Sequence, residues 1–498
     1  MSKKILIANR GEIAIRIAKT CRKMDIIPCG IYSDADKNSL HIRLCKETMN
    51  IGGAMPSESY LRIDKIIDAT RKLDCDLIHP GYGFLSENRK FTEICEKEGL
   101  IFVGPSHKVM SITGDKVMAR RIASKASPVV EGYEVSNESN ASDIVESMGF
   151  PVILKAVEGG GGRGLRIVRS SEELKEAFVS SKNESTISFG SGRIYVEKYL
   201  ENPRHIEVQI LADPVNSNII HLGERECTVQ RRHQKLIEET PSPALTLEMR
   251  KGITEKAIAI MKEIGYENAG TVEFLFKDGK FYFMEVNARI QVEHPVTEAV
   301  TGVDIVEQQL NIALGNGLPL KQQDMNSKGH AIECRINAEH PLSFIPFPGT
   351  VKKFTPPEED GVRIDTALYA GYTIPTFYDS LIAKLICVGN DRYESIEKMK
   401  RSLSSFRISG IPSTIPFHIS ALNDRRFVEG SYDTSFIDKM NRFSSKEGEI
   451  AAAILYLLPK RLEFVESRGK EEQNLWMKSR FDWIDILELV DGWYPQLG

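Results

Sequence analysis

Four short apolar runs punctuate the first hundred residues: Ile5-Leu6-Ile7-Ala8, Cys29-Gly30-Ile31-Tyr32, Leu77-Ile78-His79 and Ile101-Phe102-Val103-Gly104. The segment after the first carries apolar residues at Ile13, Ile17, Cys21 and Met24, a helical spacing. Strands joined through helices run parallel, because the crossover returns the chain to the same end of the sheet. Residues 1–113 are therefore expected to form a doubly wound, Rossmann-like α/β domain. Asn9-Arg10-Gly11-Glu12 follows the first strand where a dinucleotide site would need GxGxxG, so the shape is expected without that site.

Farther along, the pattern changes. From about residue 129 to 200 the runs Pro151–Val157, Leu165–Val168 and Ile194–Glu197 suggest a small α/β module. His205–Ile210 alternates polar and apolar residues, as do the runs flanking Lys277-Asp278-Gly279-Lys280. Both predict antiparallel strands with one face toward solvent or a cleft. Residues 330 to about 445 read as another mixed segment. The last fifty residues hold Trp476, Trp483 and Trp493 and read as a helical extension.

The net charge of −4 gives no general attraction to nucleic acid or anionic lipid, so the basic cluster Arg231-Arg232-His233-Gln234-Lys235 needs a local explanation. The cysteines form no CxxC pair and read as reduced buried thiols, the N-terminus lacks a signal-peptide core, and the apolar run Ala451–Leu458 is too short to span a bilayer. A cytoplasmic protein is expected.

Glu158-Gly159-Gly160-Gly161-Gly162-Arg163-Gly164 lies between two strands, which is the wrong setting for a dinucleotide fingerprint, and no GxxxxGK[ST] occurs. Consecutive glycines let backbone N–H groups approach phosphate oxygens, so the run reads as a phosphate-covering lid; a flexible hairpin tip is the plainer alternative. Lys155 shares strand parity with Ile153 and Val157, a costly place for an ammonium without an opposing anion.

The stretch Glu285–His294, EVNARIQVEH, alternates polar and apolar residues along its length, as an extended chain does. Upstream, Glu273 lies on the far arm of the Asp278-Gly279 hairpin. A three-residue loop would put Glu273 and Glu285 on one face; a two-residue turn would put them on opposite faces. On one face they form an all-oxygen set with Asn287, which suits Mg²⁺. A straight strand would hold Glu285 and Glu293 about 26 Å apart, so the run must serve two sites. Arg289 offers a fork for an oxyanion, and Glu293 beside it reads as a general base; a structural Arg289–Glu293 ion pair accounts for the same residues.

Taken together, these segments resemble the biotin carboxylases of the ATP-grasp superfamily, over about residues 3 to 445. The strings that carry the resemblance are ANRGEIAIRI at 8–17, HPGYGFLSEN at 79–88, GDK at 114–116, GGGGRG at 159–164 and EKYLENPRHIEVQ at 197–209. To these add QRRHQK at 230–235, EVNARIQVEHPVTE at 285–298 and ECRINAE at 333–339. The resemblance implies an ATP-grasp fold: an N-terminal Rossmann-like domain (1–113), an ATP-grasp domain (114–329) with a mobile glycine-rich lid at about 129–200, and a C-terminal mixed α/β domain (330–445). Residues 446–498 match nothing. The turn at residues 124–128, SKASP, is shorter than the family's.

The implied reaction is carboxylation of biotin with ATP and bicarbonate through carboxyphosphate. Lys116, Lys155, Gly161, Gly162, Glu197, Lys198, Tyr199, Leu200, His205, Gln230, His233 and Leu275 would contact ATP. Glu273, Glu285 and Asn287 would hold Mg²⁺ or Mn²⁺. Lys235, Arg289, Gln291, Val292 and Glu293 would seat bicarbonate, with Glu293 as its base. Tyr82, Gly83 and His233 would lie near biotin, and Arg335 would stabilise its enolate. Lys398-Met399 lies in a charged helical pattern unlike a biotinylation hairpin, so the biotin carboxyl carrier protein and the carboxyltransferase are expected on separate chains, with this chain a homodimer. The assembly expected is an acetyl-CoA or propionyl-CoA carboxylase, with a two-subunit pyruvate carboxylase as the alternative. Two rivals remain: another ATP-grasp ligase, which would lack the pairing of QRRHQK with RIQVEHPVTE, and a silent nucleotide-binding scaffold, which would lack one of these residues.

Overall fold

A computed structural model describes residues 2–157, 165–189 and 192–440. The glycine run and the tryptophan-bearing tail lie outside the described residues.

The N-terminal strands are β1 (Lys4–Ile7), β2 (Ile27–Tyr32), β3 (Glu47–Asn50), β4 (Leu77–His79) and β5 (Ile101–Phe102). They form a parallel sheet in the order β3-β2-β1-β4-β5. The order reverses between β1 and β4, and an open α/β sheet binds ligands in the crevice at such a point. There the turns after β1 and β4 are tied together: the Asn9 side-chain amide donates to the carbonyls of Pro80 (2.7 Å) and Tyr82 (2.8 Å). Gly81 has φ +62° and lies against Asn9, where a Cβ would come within 2.8 Å of the amide nitrogen.

A smaller antiparallel sheet follows: β6 (Gly132–Val135), β7 (Val152–Ala156), β8 (Arg166–Val168) and β9 (Ile194–Lys198), ordered β6-β9-β7-β8. Helices Glu138–Met148 and Ser171–Phe189 accompany it, and Val145, Val152, Leu154, Phe178 and Val196 share its core.

The largest sheet contains β10 (Arg204–Asp213), β11 (Asn218–Arg231), β12 (Gln234–Thr240), β13 (Asn268–Lys277), β14 (Lys280–Asn287) and β15 (His330–Asn337). After the short β16 (Lys353–Thr355) come β17 (Val362–Thr366) and β18 (Leu381–Gly389); β19 (Arg407–Ser409) pairs with β16. The order β14-β13-β10-β11-β12-β15-β18-β17 runs unbroken across residue 330, because β12 pairs with β15. Ile206, Val208, Val272, Phe274, Phe283 and Val286 are buried in a core shared with helix Leu247–Ile264 and with the N-terminal domain. Phe274 and Phe283 are cross-strand partners, edge to face at 6.4 Å, and burying each is worth ~1.5–3 kcal/mol. The alternating strand β10 turns no face to solvent: Glu207 and Gln209 are as buried as its apolar residues. The polar face of β10 is buried, while Leu275 and Glu285 on the neighbouring hairpin are half-buried.

The N-terminal domain, the segment following β14 and the C-terminal strands meet at Lys384 on β18, whose side chain is fully buried. Its ammonium donates to the Val292 carbonyl (2.9 Å) and pairs with Glu12 (3.0 Å) of the first helix, Gly11–Lys23. Removing one partner of a buried pair strands the other. Lys384→Met is expected to cost about 3–5 kcal/mol and to lower the midpoint of thermal unfolding followed by calorimetry; an unchanged midpoint would show that this junction carries no stability.

Candidate active site

On the polar face of the large sheet, charged residues line up across four strands. Glu285 on β14 is directly opposite Glu273 on β13, Glu273 opposite Glu207 on β10, and Glu207 opposite Arg225 on β11. Beside this row run Asn287, Thr271 and Gln209 on one side and Leu275 with His205 on the other. The hairpin turn is Asp278-Gly279, closed by the Lys277–Lys280 pair. Both turn residues have positive φ, as a two-residue hairpin requires. No three-residue loop is present. The register set by this turn would pair Glu273 with Met284, but a bulge after Phe283 adds one residue and restores Glu285 to the face of Glu273.

Buried carboxylates set side by side repel, so cations must lie between them. Lys235 supplies one. Its ammonium reaches Glu207 (2.6 Å), Glu273 (2.9 Å) and Glu293 (2.6 Å). His205 lies 3.1 Å from the other oxygen of Glu273. Burial alone would raise the Glu273 pKa, but Lys235 and His205 outweigh it and hold the carboxyl well below its ordinary range. Arg225 has no exposed surface and donates to Glu207, Gln209 (2.8 Å), Thr297 (3.0 Å), Thr271 (3.2 Å) and Gln291 (2.9 Å). It thereby fixes the Gln291 amide, whose nitrogen donates to Glu273 (2.7 Å).

The alternation of EVNARIQVEH outlasts the strand. β14 ends at Asn287; the chain bends at Arg289, turns at Val292 and Glu293, and enters helix His294–Thr301. Pro295 stands in the first helical turn, where its missing N–H costs nothing. Folding back brings Glu293 to Lys235 and to Arg335 on β15 (2.9 Å), instead of the separation an extended chain would impose. Burial opposes ionisation of Glu293, yet Lys235, Arg335 and Arg225 together keep its carboxyl well below the usual carboxylate range. Arg289 does not pair with Glu293. It pairs with Glu87 of the N-terminal domain (2.8 Å) and donates to the Asn287 side-chain oxygen (2.8 Å). Val292 offers its carbonyl to Lys384.

Around this centre stand the other residues singled out in the sequence. Lys116 opens helix Lys116–Ala123; burial lowers its pKa and the Glu285 charge opposes that shift. Lys155 on β7 finds its anion in Glu197 on β9, which also binds Arg120 (2.6 Å). The Lys198 ammonium is committed to the carbonyls of Gly149 and Phe150, both at 3.0 Å, and Tyr199 and Leu200 follow as half-buried residues. Gln230 pairs with Lys235 across the β11–β12 hairpin, whose two-residue tip is Arg232 and His233, both at positive φ and exposed. Tyr82 lies in the switch-point turn with Gly83 and donates to Glu12. Gly161 and Gly162 lie outside the described residues.

Glu273, Glu285 and Asn287 fit a hard cation. Burial raises the Glu285 pKa; Lys116 offsets this and the facing Glu273 adds to it, a conflict that a bound cation would relieve. The oxygen donors suit Mg²⁺ or Mn²⁺. His205, Glu207 and Glu273 also bring one ligand atom each within 4.8 Å of one another. Sequence reasoning missed Glu207, Arg225, Glu12, Glu87 and Lys384. Glu207 shares strand parity with His205, which was a usable signal; the other four depend on contacts between distant segments.

Three family descriptions cover most of the chain. Residues 1–110 match the biotin carboxylase N-terminal domain, 115–321 the ATP binding domain of the carbamoyl-phosphate synthase L chain, and 333–439 the biotin carboxylase C-terminal domain. One relative, a pyruvate carboxylase subunit of Methanothermobacter thermautotrophicus, is 50% identical over 89% of this chain and 91% of its own length. Biotin carboxylase 1 of Bacillus subtilis is 48% identical, over 88% of this chain and 98% of its own. A solved structure of the biotin carboxylase domain dimer of Hydrogenobacter thermophilus 2-oxoglutarate carboxylase, with MgADP, ADP and bicarbonate, superposes with a TM-score of 0.86 at 42% identity, over 88% of this chain and 98% of that one.

The strand that carries Arg335 is held from behind by His418, whose ring nitrogen bonds the Arg335 carbonyl at 2.7 Å. Burial pushes the His418 pKa down to about 4, and that hydrogen bond offsets it only in part. An unfolded histidine takes up its proton near pH 6.5, so His418 contributes stability that is complete above that pH and is lost as pH falls toward 4. Lowering the pH from 6.5 to about 5 should cost the parent protein about 2 kcal/mol through this group. In His418→Gln that part of the loss is expected to vanish, as measured by denaturant midpoints at both pH values.

Proposed function

The chain belongs to the biotin carboxylase family, ATP-dependent carboxylating ligases, and from that premise we propose how its residues divide the work. The carrying observation is that Glu293, the base, and Glu273 with Glu285, the carboxylates for the metal, converge on one face with Lys235 between them. ATP would lie between the small sheet and the large one, its phosphates met by Lys116, Lys155 and the glycine run, with His205, Gln230, His233, Leu275 and residues 197–200 along the nucleotide. A bound Mg²⁺ or Mn²⁺ neutralises phosphate charge, and Glu273, Glu285 and Asn287 would hold it.

Bicarbonate would enter beside Arg289, Gln291 and the Val292 backbone. Lys235 and Arg335 then share their charge between Glu293 and the new anion, which loosens their hold on Glu293 and raises its proton affinity. Glu293 takes the bicarbonate proton, the freed oxygen attacks the terminal phosphorus of ATP, and ADP leaves. Carboxyphosphate gives CO₂ and phosphate, and phosphate takes the ureido N1′ proton of biotin. Arg335 would balance the charge that develops on the ureido oxygen, near Tyr82, Gly83 and His233, and the nitrogen captures CO₂.

The biotin is proposed to arrive on a biotin carboxyl carrier protein, and this chain to act as a homodimer, as in the 2-oxoglutarate carboxylase dimer. A separate carboxyltransferase would complete an acetyl-CoA or propionyl-CoA carboxylase. The Methanothermobacter relative, named for pyruvate carboxylase, supports a second reading, a 2-oxo acid acceptor.

Glu293→Gln should lower biotin carboxylation by ~10²–10⁴-fold, with ATP affinity changed far less. Undiminished turnover, measured as bicarbonate-dependent ADP release with free biotin, would remove Glu293 as the base. The acceptor is decided by isolating the chain with its native partners and assaying transfer from labelled bicarbonate to acetyl-CoA, propionyl-CoA, pyruvate and 2-oxoglutarate. Transfer to a 2-oxo acid alone would overturn the acyl-CoA reading.

A further inference from the structure

Glu333 on β15 is directly opposite Glu238 on β12, and neither has any exposed surface. Two ionised carboxylates facing each other across adjacent strands in a dry interior are strongly unfavourable. The hydrogen-bond inventory deepens the problem. Glu238 receives the Arg335 guanidinium on one oxygen (2.6 Å); its other oxygen, and both oxygens of Glu333, have no partner among the described residues. One proton between the two side chains would remove the repulsion and occupy lone pairs left empty.

The surrounding charges agree with that proton. Across β12, Glu333 faces Glu238; on its own strand stands Arg335; on β18, Ile386 is its direct partner and Lys384 lies two residues away. Lys384 is already committed to Glu12 and the Val292 carbonyl. From the turn before helix His294–Thr301 comes Glu293, itself on Arg335. The titratable groups of that helix are turned elsewhere, His294 to the Gln291 carbonyl and Glu298 to Arg16 and Arg363. Lys235, on the strand of Glu238, is spent on Glu207, Glu273 and Glu293. With every carboxyl ionised, Arg335 would face Glu238 and Glu333 in addition to the Glu293 it shares with Lys235.

We propose that Glu333 is a positioning residue for biotin carboxylation: paired with Glu238, it retains a proton at neutral pH and so leaves Arg335 the positive charge that an anionic ureido oxygen needs. This rests on the role given to Arg335 above. Burial, reinforced by Glu238 and only partly countered by Lys384, raises the Glu333 pKa well above the carboxylate range, and burial raises that of Glu238 to about 7. At alkaline pH the proton leaves to solvent, the added negative charge falls on Arg335, and biotin carboxylation declines. Glutamine cannot ionise, so Glu333→Gln removes this loss.

The test compares parent and Glu333→Gln from neutral to alkaline pH, with free biotin and with the biotin-independent, bicarbonate-dependent ATPase as reference. The ratio of variant to parent in the biotin reaction is expected to rise by up to about tenfold per pH unit beyond the parent's break, while the reference ratio, which senses Arg335 only through Glu293, rises much less. A flat ratio in both reactions overturns the proposal. Should the parent fail to carboxylate biotin at any pH, the functional reading fails instead. Infrared difference spectra of the parent give a second measurement that does not depend on the variant's folding: a protonated-carboxyl carbonyl band at neutral pH that disappears on alkaline titration is expected, and its absence overturns the proposal.

Discussion

The site is built on a cross-strand row of charge that the sheet register forces together. Glu285, Glu273 and Glu207 are three successive cross-strand partners, and Arg225 is the fourth. Like charges directly opposite one another destabilise a sheet even at its surface, and here the row is interior. The fold answers with Lys235, which touches Glu207, Glu273 and Glu293, and with His205 at the far oxygen of Glu273. Glu285 is offset by Lys116 and, more weakly, by Lys155. Carboxylates are in excess at that end and cations gather near Glu293, a division that suits the metal and anion sites proposed for the two ends.

Much of this was legible in the residues. The βαβ spacing of the first hundred residues gave the parallel sheet, because helix and strand periods differ enough to be read separately. EVNARIQVEH reads as serving two sites; Glu285 faces Glu273 across the hairpin, while Glu293 meets Lys235 and Arg335. What the residues hid was register. Whether Glu273 meets Glu285 depends on a single bulged residue, Met284, and a bulge leaves no mark in an alternating pattern. The period of two runs on through residue 293, but the approach of Pro295 implies a turn before it, and the chain does turn there. Polar Gln291 and Glu293 are set by a turn and a helix start, and their alternation with Ile290 and Val292 does not come from a pleated strand. Glu12, Glu87 and Lys384 were invisible because their partners lie hundreds of residues away.

That departure from the strand is where function enters. Had the chain stayed extended beyond Asn287, Glu293 would have travelled away from the carboxylates by about 3.3 Å per residue. The bend at Arg289 is braced from outside: Glu87 accepts both from the Arg289 guanidinium and from the Ala288 backbone N–H (2.9 Å). Lys384 braces the following turn through the Val292 carbonyl. The N-terminal domain and β18 therefore hold the two ends of a short loop whose middle supplies Gln291.

Bracing of this kind decides what the loop is able to do. A carboxylate on a free loop would move to the nearest cation and stay there, and Glu293 already contacts both Lys235 and Arg335. In the proposed role of base it would have to keep its position while those cations transfer part of their attraction to an incoming anion. The backbone supplies that constancy. Glu293 occupies the position just before helix His294–Thr301 without using its side chain to cap the helix, so no local hydrogen bond competes for the carboxylate. Its geometry is set by main-chain contacts on either side, and its charge by cations from β12, β15 and β11. Position and protonation are thus controlled by different parts of the fold, which would let the proton affinity of the proposed base change on substrate entry without the side chain having to move.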